Sequence, residues 1–250
     1  MWFTLMALYF ILIVFRLWMW AALGKPKFEI TGTLKQSKDL LFLALKPTNK
    51  ILIPKVGQYF YLQIKGFGEA HPFSIMEFDE KSGTFIFGIK AIGSFTNKLA
   101  NLKVGDEIFV DGPYGVFTQE AQNNLPKLII AGGIGITPFV ELVKKFKSPS
   151  TIFINANRTS ADIIAKNILQ KELGNRYLDF LSQDPEHKGP QIVNSRINAQ
   201  YLNYLLGGPQ NLNKFNYFIC GSPNFIDGIK NSLKELEINQ NQIYAEEFSM

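Results

Sequence analysis

Near residue 120 the hydropathy rhythm of this chain changes period, and that change limits the folds open to it more than any other feature. From Phe28 to about Phe117 the apolar residues come in short alternating or aromatic runs, FEITGTL, LLFLALKP, GQYFYLQIK, HPFSIMEF, TFIFGIKA and DEIFVDGPYG. A period of two is the pattern of half-buried strands. Between the last two runs lies SFTNKLANL, long enough only for a short helix. Six strands and one helix read as a small closed antiparallel β-barrel with the helix over an opening. From Pro126 onward, apolar strands KLIIAGG, TIFINAN, YLDFLSQ and NYFICG alternate with helical stretches near Pro138 to Lys147, Ser160 to Leu173, Asn198 to Leu206 and Pro223 to Leu236. That alternation is the layering of an α/β parallel sheet. The polar stretch Gln119 to Lys127 is the expected linker. The chain therefore divides into residues 1–24, a barrel over 25–118 and an α/β half over 119–250, an α+β two-domain protein.

The first 24 residues follow neither rhythm. They hold one charged residue, Arg16, and as a helix would rise about 36 Å, against about 30 Å of bilayer hydrocarbon. The reading is a transmembrane helix, with Trp18 and Trp20 as an interfacial belt and Lys25 and Lys27 keeping the rest of the chain on the cytoplasmic side. Arg16 then needs to snorkel or to meet a partner helix or lipid phosphate. A cleaved signal peptide and a buried helix are the alternatives, and the missing cationic start argues against the first.

Composition narrows the chemistry. A single cysteine, Cys220, excludes an internal disulfide and any multi-cysteine zinc or iron-sulfur site built by this chain alone, so no metal centre is expected. The net charge of +5 is spread without an Arg-rich block, which fits anionic ligands or lipid and not nucleic acid. The 22 Phe and 9 Tyr are enough to fill cores and to stack on a planar cofactor.

Three short motifs carry chemistry. Ile129 to Pro138 reads IIAGGIGITP, a buried strand running into glycines and a helix opened by Thr137 and Pro138. Glycines admit a pyrophosphate to the backbone, and the helix N-terminus offers unpaired N–H groups. A purely structural glycine turn fits the same letters. His71-Pro72-Phe73-Ser74 lies on a barrel strand, where His71 and Phe73 share a face and Phe73 is free to stack on a flat ring. Ser74 offers a hydroxyl to a ring nitrogen. An interior strand with a proline edge is the plainer alternative. Lys90 to Thr96, KAIGSFT, joins a cation to a glycine turn and a helix start, a pattern suited to a second pyrophosphate.

In that order these motifs, with VDGPYG and the Cys220-Gly221 pair before a C-terminal aromatic, resemble the ferredoxin-NADP reductase superfamily. The nearest likeness within it is the dehydrogenase domain of NADPH oxidases and ferric reductases. The resemblance covers residues 28 to 250 and implies FAD in the barrel and NADPH or NADH in the α/β half. Carried over by match, Phe73 lies against the isoalloxazine and Ser74 near its N5. His71, Lys90, Gly93, Ser94 and Thr96 hold the pyrophosphate, with Pro72 and Ile75 flanking and Phe95 at the adenine end. Gly132, Gly133, Gly135, Ile136 and Thr137 hold the nicotinamide nucleotide, and Cys220 and Gly221 border the nicotinamide. Phe248 matches the aromatic that covers the flavin. Ser74, Cys220 and Phe248 are the expected catalytic residues.

The resemblance implies hydride transfer from NAD(P)H to FAD and onward release of single electrons. For the acceptor it implies a haem or ferric centre at the membrane. His71 and His187 are the only histidines and neither lies in the apolar segment. The haem would therefore belong to a transmembrane domain preceding this sequence or to a separate subunit. The alternatives are a reductase component serving a soluble ferredoxin or oxygenase, and a noncatalytic nucleotide-binding scaffold. Nucleotide choice turns on Arg158, placed to meet a 2'-phosphate or to pair with Asp162; Ser182-Gln183 lacks a second arginine.

Overall fold

The computed structural model describes residues 2–23, 26–49, 51–66 and 68–248, and side chains in the first helix as far as Leu17. Helix α1 (Trp2–Leu23) comes first, followed by six strands: β1 (Lys27–Lys35), β2 (Leu40–Pro47), β3 (Tyr59–Gln63), β4 (His71–Asp79), β5 (Thr84–Lys90) and β6 (Glu107–Tyr114). They close into an antiparallel barrel in the order β1-β2-β5-β4-β3-β6. Helix α2 (Ser94–Leu99) lies between β5 and β6, as the sequence leads one to expect.

Alternation explains the closure. In β1, Phe28 and Ile30 point inward while Glu29 points out, and in β5 the inward set is Phe85, Phe87 and Ile89. Phe85 is the hub, with its ring 5.1 Å from Phe28, 4.9 Å from Phe60 and 5.1 Å from Phe78. Burying one such ring is worth about 1.5–3 kcal/mol. Strand β2 is apolar on both faces. Leu41, Leu43 and Leu45 fill the barrel, whereas Leu40 and Phe42 pack outward into the core of the second half, joined by Met76 from β4.

The second half is a six-stranded sheet, built from β7 (Lys127–Gly132), β8 (Thr151–Asn157), β9 (Tyr177–Leu181), β10 (Ile192–Val193), β11 (Asn216–Gly221) and β12 (Ile243–Glu247). Every pairing in it is parallel, in the order β10-β9-β8-β7-β11-β12. The chain runs outward from β7 to β10 and then returns to the other side of β7, so the topological switch point lies between β7 and β11. Helices α3 (Val140–Phe146), α4 (Lys166–Leu173), α5 (Ala199–Leu205), α6 (Pro209–Leu212) and α7 (Pro223–Glu235) complete the layers. Strands β10 and β12 and helix α6 are absent from the sequence reading.

The stretch expected to link the halves is bolted to both. Thr118 Oγ1 and Gln122 Nε2 donate to the carbonyl of Val56 at 2.7 and 3.2 Å, and Ala121 is fully buried. Lys127 is buried, its Nζ donating to the carbonyls of Ala121, Asn123 and Phe146, and burial pulls its pKa down to about 8. Ion pairs Lys144–Glu77 and Lys145–Glu80 and a 2.7 Å bond from Gln36 Nε2 to the Ile163 carbonyl also join the halves.

The N-terminal expectation needs correcting. Residues Trp2–Leu23 are helical, but among the described residues no helix is long and apolar enough to cross a membrane. The helix carries Arg16 within its apolar run, a cation costly to hold in hydrocarbon. The membrane localisation and cytoplasmic orientation fall with the transmembrane helix. Gly24, Lys25 and the side chains of Trp18 and Trp20 lie outside the described residues.

Candidate functional site

The barrel contributes β4. His71 and Phe73 do share a face, and both stand against one ring: His71 stacks on Phe95 at 4.3 Å, and Phe73 lies 6.3 Å from it and nearly parallel. Phe95 itself is buried in the barrel core, under His71. Phe73 is half-buried, one face on the barrel core. Pro72 is exposed, and Ile75 points into the barrel. Ser74 is only 3 % exposed, yet its Oγ has no hydrogen-bond partner. An unpaired buried hydroxyl is costly and rare, and it is what a polar ring atom arriving from outside the chain would satisfy.

The second barrel motif is partly self-contained. Thr96 Oγ1 accepts from the N–H of Ile92 at 3.1 Å and of Gly93 at 3.0 Å, and donates back to the Gly93 carbonyl. Its hydroxyl fixes the turn and is already in use. Lys90 lies 3.8 Å from Asp39 with its side chain partly exposed, and Gly93 and Ser94 are open to solvent.

The glycine motif follows β7, and each of its glycines has a reason within the protein. A Cβ on Gly132 would stand 2.7 Å from the Phe225 ring, Gly133 has a φ of +56°, and a Cβ on Gly135 would stand 2.3 Å from the Cys220 carbonyl oxygen. Ile136 and Thr137 are buried, and Thr137 Oγ1 donates to the Ile134 carbonyl. The loop leans on the barrel at Gly88, where a Cβ would come within 3.0 Å of Thr137 and 3.2 Å of Ile134.

On the other side of the switch point stand Cys220 and Gly221, both buried. Burial, then the nearby Glu246 carboxyl, pushes the Cys220 thiol well above its ordinary pKa, so it serves as a small neutral side chain. Glu246 is its register partner on β12. The Glu246 Oε2 is buried without a hydrogen-bond partner, and burial raises its pKa. The N–H of Phe248 donates to the Gly221 carbonyl at 3.0 Å, and its ring packs on the cluster that includes Cys220 and Ile136.

These two sides meet. Tyr59 is the β3 partner of Ser74, and its raised pKa comes from burial first, then Tyr61, with Glu246 contributing from across the cleft. Tyr59 of the barrel thus lies near enough to Glu246 of β12 to feel its charge, and Ser74 is its register partner. Tyr59, Glu246 and Phe225 are missing from the sequence-based list; a glutamate beside a C-terminal aromatic was visible, but only the fold buries it. Arg158 is exposed at the end of β8 and forms no pair with Asp162, whose carboxylate is taken by Thr159. Among the described residues no group of His, Cys, Asp and Glu side chains is placed to hold a metal.

Comparison with known proteins places these halves in context. Residues 28–119 match the family described as Oxidoreductase FAD-binding domain, and residues 129–231 match Oxidoreductase NAD-binding domain. The reductase component of propane 2-monooxygenase from Mycolicibacterium goodii is 28% identical over 235 residues, covering 88% of this chain and 67% of that protein. NADH-cytochrome b5 reductase 2 of Coccidioides immitis is 26% identical over 196 residues, covering 69% of this chain and 60% of the relative. The chain thus spans about two thirds or less of the length of these curated relatives. Among solved structures, flavohemoglobin from Malassezia yamatoensis with bound FAD and heme superposes with a TM-score of 0.75 at 23% identity, over 90% of this chain and 60% of that one, a likeness of fold.

Proposed function

Since the chain belongs to the ferredoxin-NADP reductase superfamily and is an FAD-dependent NAD(P)H oxidoreductase, we propose that it acts as a reductase component that hands electrons to a separate ferredoxin- or oxygenase-type protein. The observation that carries this reading is the unpartnered Ser74 hydroxyl, buried on β4, the barrel strand that packs against the turn after β7. When bound, FAD supplies a site that takes a hydride and gives electrons up singly. The protein's own work is placement, not acid-base catalysis.

We assign residues 25–118 to the flavin half and 119–250 to the nucleotide half. The exposed face of Phe73 stacks on the flavin ring, with Ser74 donating to it, while Lys90, Ser94 and His71 meet the pyrophosphate. The turn Gly132 to Thr137 and the start of α7 receive the nicotinamide nucleotide. Cys220 and Gly221 border the nicotinamide, and Phe248 screens the cleft until the nucleotide enters. Gly133, at positive φ with nothing within 4 Å of its would-be Cβ, is the glycine most open to a ligand.

The finer expectation, an NADPH oxidase or ferric reductase with a haem-bearing transmembrane partner, draws no support from these relatives. Their names favour the reductase-component reading. The test is electron delivery by the FAD-loaded chain. Steady reduction of an added ferredoxin or oxygenase partner by NADH or NADPH supports it. Reduced flavin that fails to pass electrons to any one-electron acceptor overturns it.

A further inference from the structure

Strand β4 opens with the His71–Ser74 motif and closes on the other half of the chain, and a bulge between the two stretches makes this possible. Ile75 pairs with Phe87 and Glu77 with Ile86, so Met76 is an extra residue in the strand. An insertion of this kind bends a strand and re-aims its side chains. Ile75 and Phe78 pack in the barrel core, whereas Met76 packs in the core of the second half and Glu77 pairs with Lys144 of α3. Lys144 Nζ donates to Glu77 and, at 2.9 Å, to Glu141 Oε1 one turn back on its own helix. Glu141 also lies 4.0 Å from Lys145, whose Nζ donates to Glu80 at 2.9 Å. Charges of alternating sign thus run Glu77, Lys144, Glu141, Lys145, Glu80 across the junction, and Lys144 and Glu77 form its partly buried crossing point.

Each side of that crossing leads to one of the two coenzyme sites. On the barrel side Ser74 precedes Glu77 on the same strand, about 10 Å away along extended backbone. On the other side the glycine turn, Gly133–Phe139, runs directly into α3, which carries Glu141 and Lys144. Any slip of α3 against β4 is therefore a slip of the glycine turn against Ser74. The apolar contacts between the halves, at Met76 and at Gly88, are non-directional and permit such a slip. A lysine held between carboxylates of both halves is directional and opposes it. We propose that Lys144 is a positioning residue for hydride transfer, fixing the separation of a flavin ring on β4 from a nicotinamide held by the turn after β7. This rests on the coenzyme sites proposed above. Hydride transfer needs its two reacting atoms about 3–3.5 Å apart, and a misplacement of about 1 Å costs on the order of a hundredfold in rate.

Anaerobic stopped-flow reduction of the FAD-loaded full chain tests it, with NADH or NADPH, whichever reduces the wild type, varied to separate the limiting rate from nucleotide affinity. Lys144→Met keeps the length of the side chain and removes its charge. The expected result is a limiting rate lower by about tenfold or more, with the dissociation constants for FAD and for the nucleotide within about twofold of wild type, because each coenzyme is gripped by one half alone. Lys144→Arg and the exchange Glu77→Lys/Lys144→Glu restore a cation between carboxylates and should recover most of the rate, with the visible flavin spectrum reporting intact folding. Gln36→Ala removes a neutral bond between the same halves and should leave the limiting rate unchanged. An unchanged limiting rate in Lys144→Met overturns the proposal, as does an equal loss in Gln36→Ala, which would mean general adhesion of the halves. A loss that lies wholly in FAD or nucleotide affinity overturns it too. Each of these leaves the coenzyme sites standing, whereas a wild type reduced by neither nucleotide overturns those sites and the proposal with them.

Discussion

A Cβ on Gly135 would sit 2.3 Å from the carbonyl oxygen of Cys220, which makes the glycine turn after β7 and the end of β11 a single close-packed unit. The obstacle to a side chain here is the protein's own backbone as well as any bound phosphate. Gly135→Ala therefore forces the turn away from Cys220, while the barrel, which has its own core, is untouched. The expected outcome is normal FAD content with reduction by NADH or NADPH lost or severely slowed, measured by absorbance of the purified variant before and after anaerobic nucleotide addition.

Ser74 separates stability from function. Its hydroxyl is buried and unpaired in the chain alone, so Ser74→Ala removes an unsatisfied group and should leave the FAD-free protein within about 1 kcal/mol of wild type, or slightly more stable. Stopped-flow reduction of the FAD-loaded variant should in contrast slow by about a hundredfold, the usual effect of losing one preorganised donor at a reacting centre. Equal rates would remove Ser74 from the site.

For Phe73 the readout is flavin affinity. Its ring leans on the barrel core at one face, and the other is placed to stack. Phe73→Ala should raise the dissociation constant for FAD by about tenfold, the size of one lost aromatic stack. Fluorescence titration of the stripped protein measures it, and unchanged affinity would show that the barrel site has been placed on the wrong strand.

Glu246 links the site to pH. Burial raises its folded pKa above the ordinary 4.5, so the folded chain holds the proton where the unfolded chain has released it. That contribution to stability is complete below pH 4.5 and is lost as pH rises through the raised value. Glu246→Gln, neutral throughout, should be close to wild type in stability at about pH 4 and progressively more stable than wild type as pH rises, levelling off above the folded pKa. Denaturant melts across that range check it, and a difference independent of pH would contradict it.

Much of the architecture was legible because its signals are local. The six barrel strands announce themselves by alternation, as in β1, where Phe28 and Ile30 face in and Glu29 faces out. Strand β12 was not legible, because IYAEE ends in two carboxylates and nothing local says that Glu246 will be buried beside Cys220. The first helix was legible as a helix, but its apolar letters were read as a membrane span that no helix among the described residues provides. His71 and Phe73 were found on one face, and the unsatisfied Ser74 hydroxyl lies on the motif that named it. The glycines show the limit of motif reading. Gly132 answers to Phe225 and Gly135 to Cys220, neighbours supplied by distant segments, so letters that spell a pyrophosphate turn also spell close packing. Arg158 was read as either a phosphate ligand or a partner of Asp162, and the fold gives the Asp162 carboxylate to Thr159 instead.

Anaerobic titration of the FAD-loaded chain with NADH is the most direct test of the central claim, that two coenzymes meet in the cleft between Ser74 and Cys220. Stoichiometric bleaching of the flavin absorbance, reversed on adding a one-electron acceptor, is the predicted result. A yellow spectrum that persists under excess NADH and excess NADPH would contradict the account.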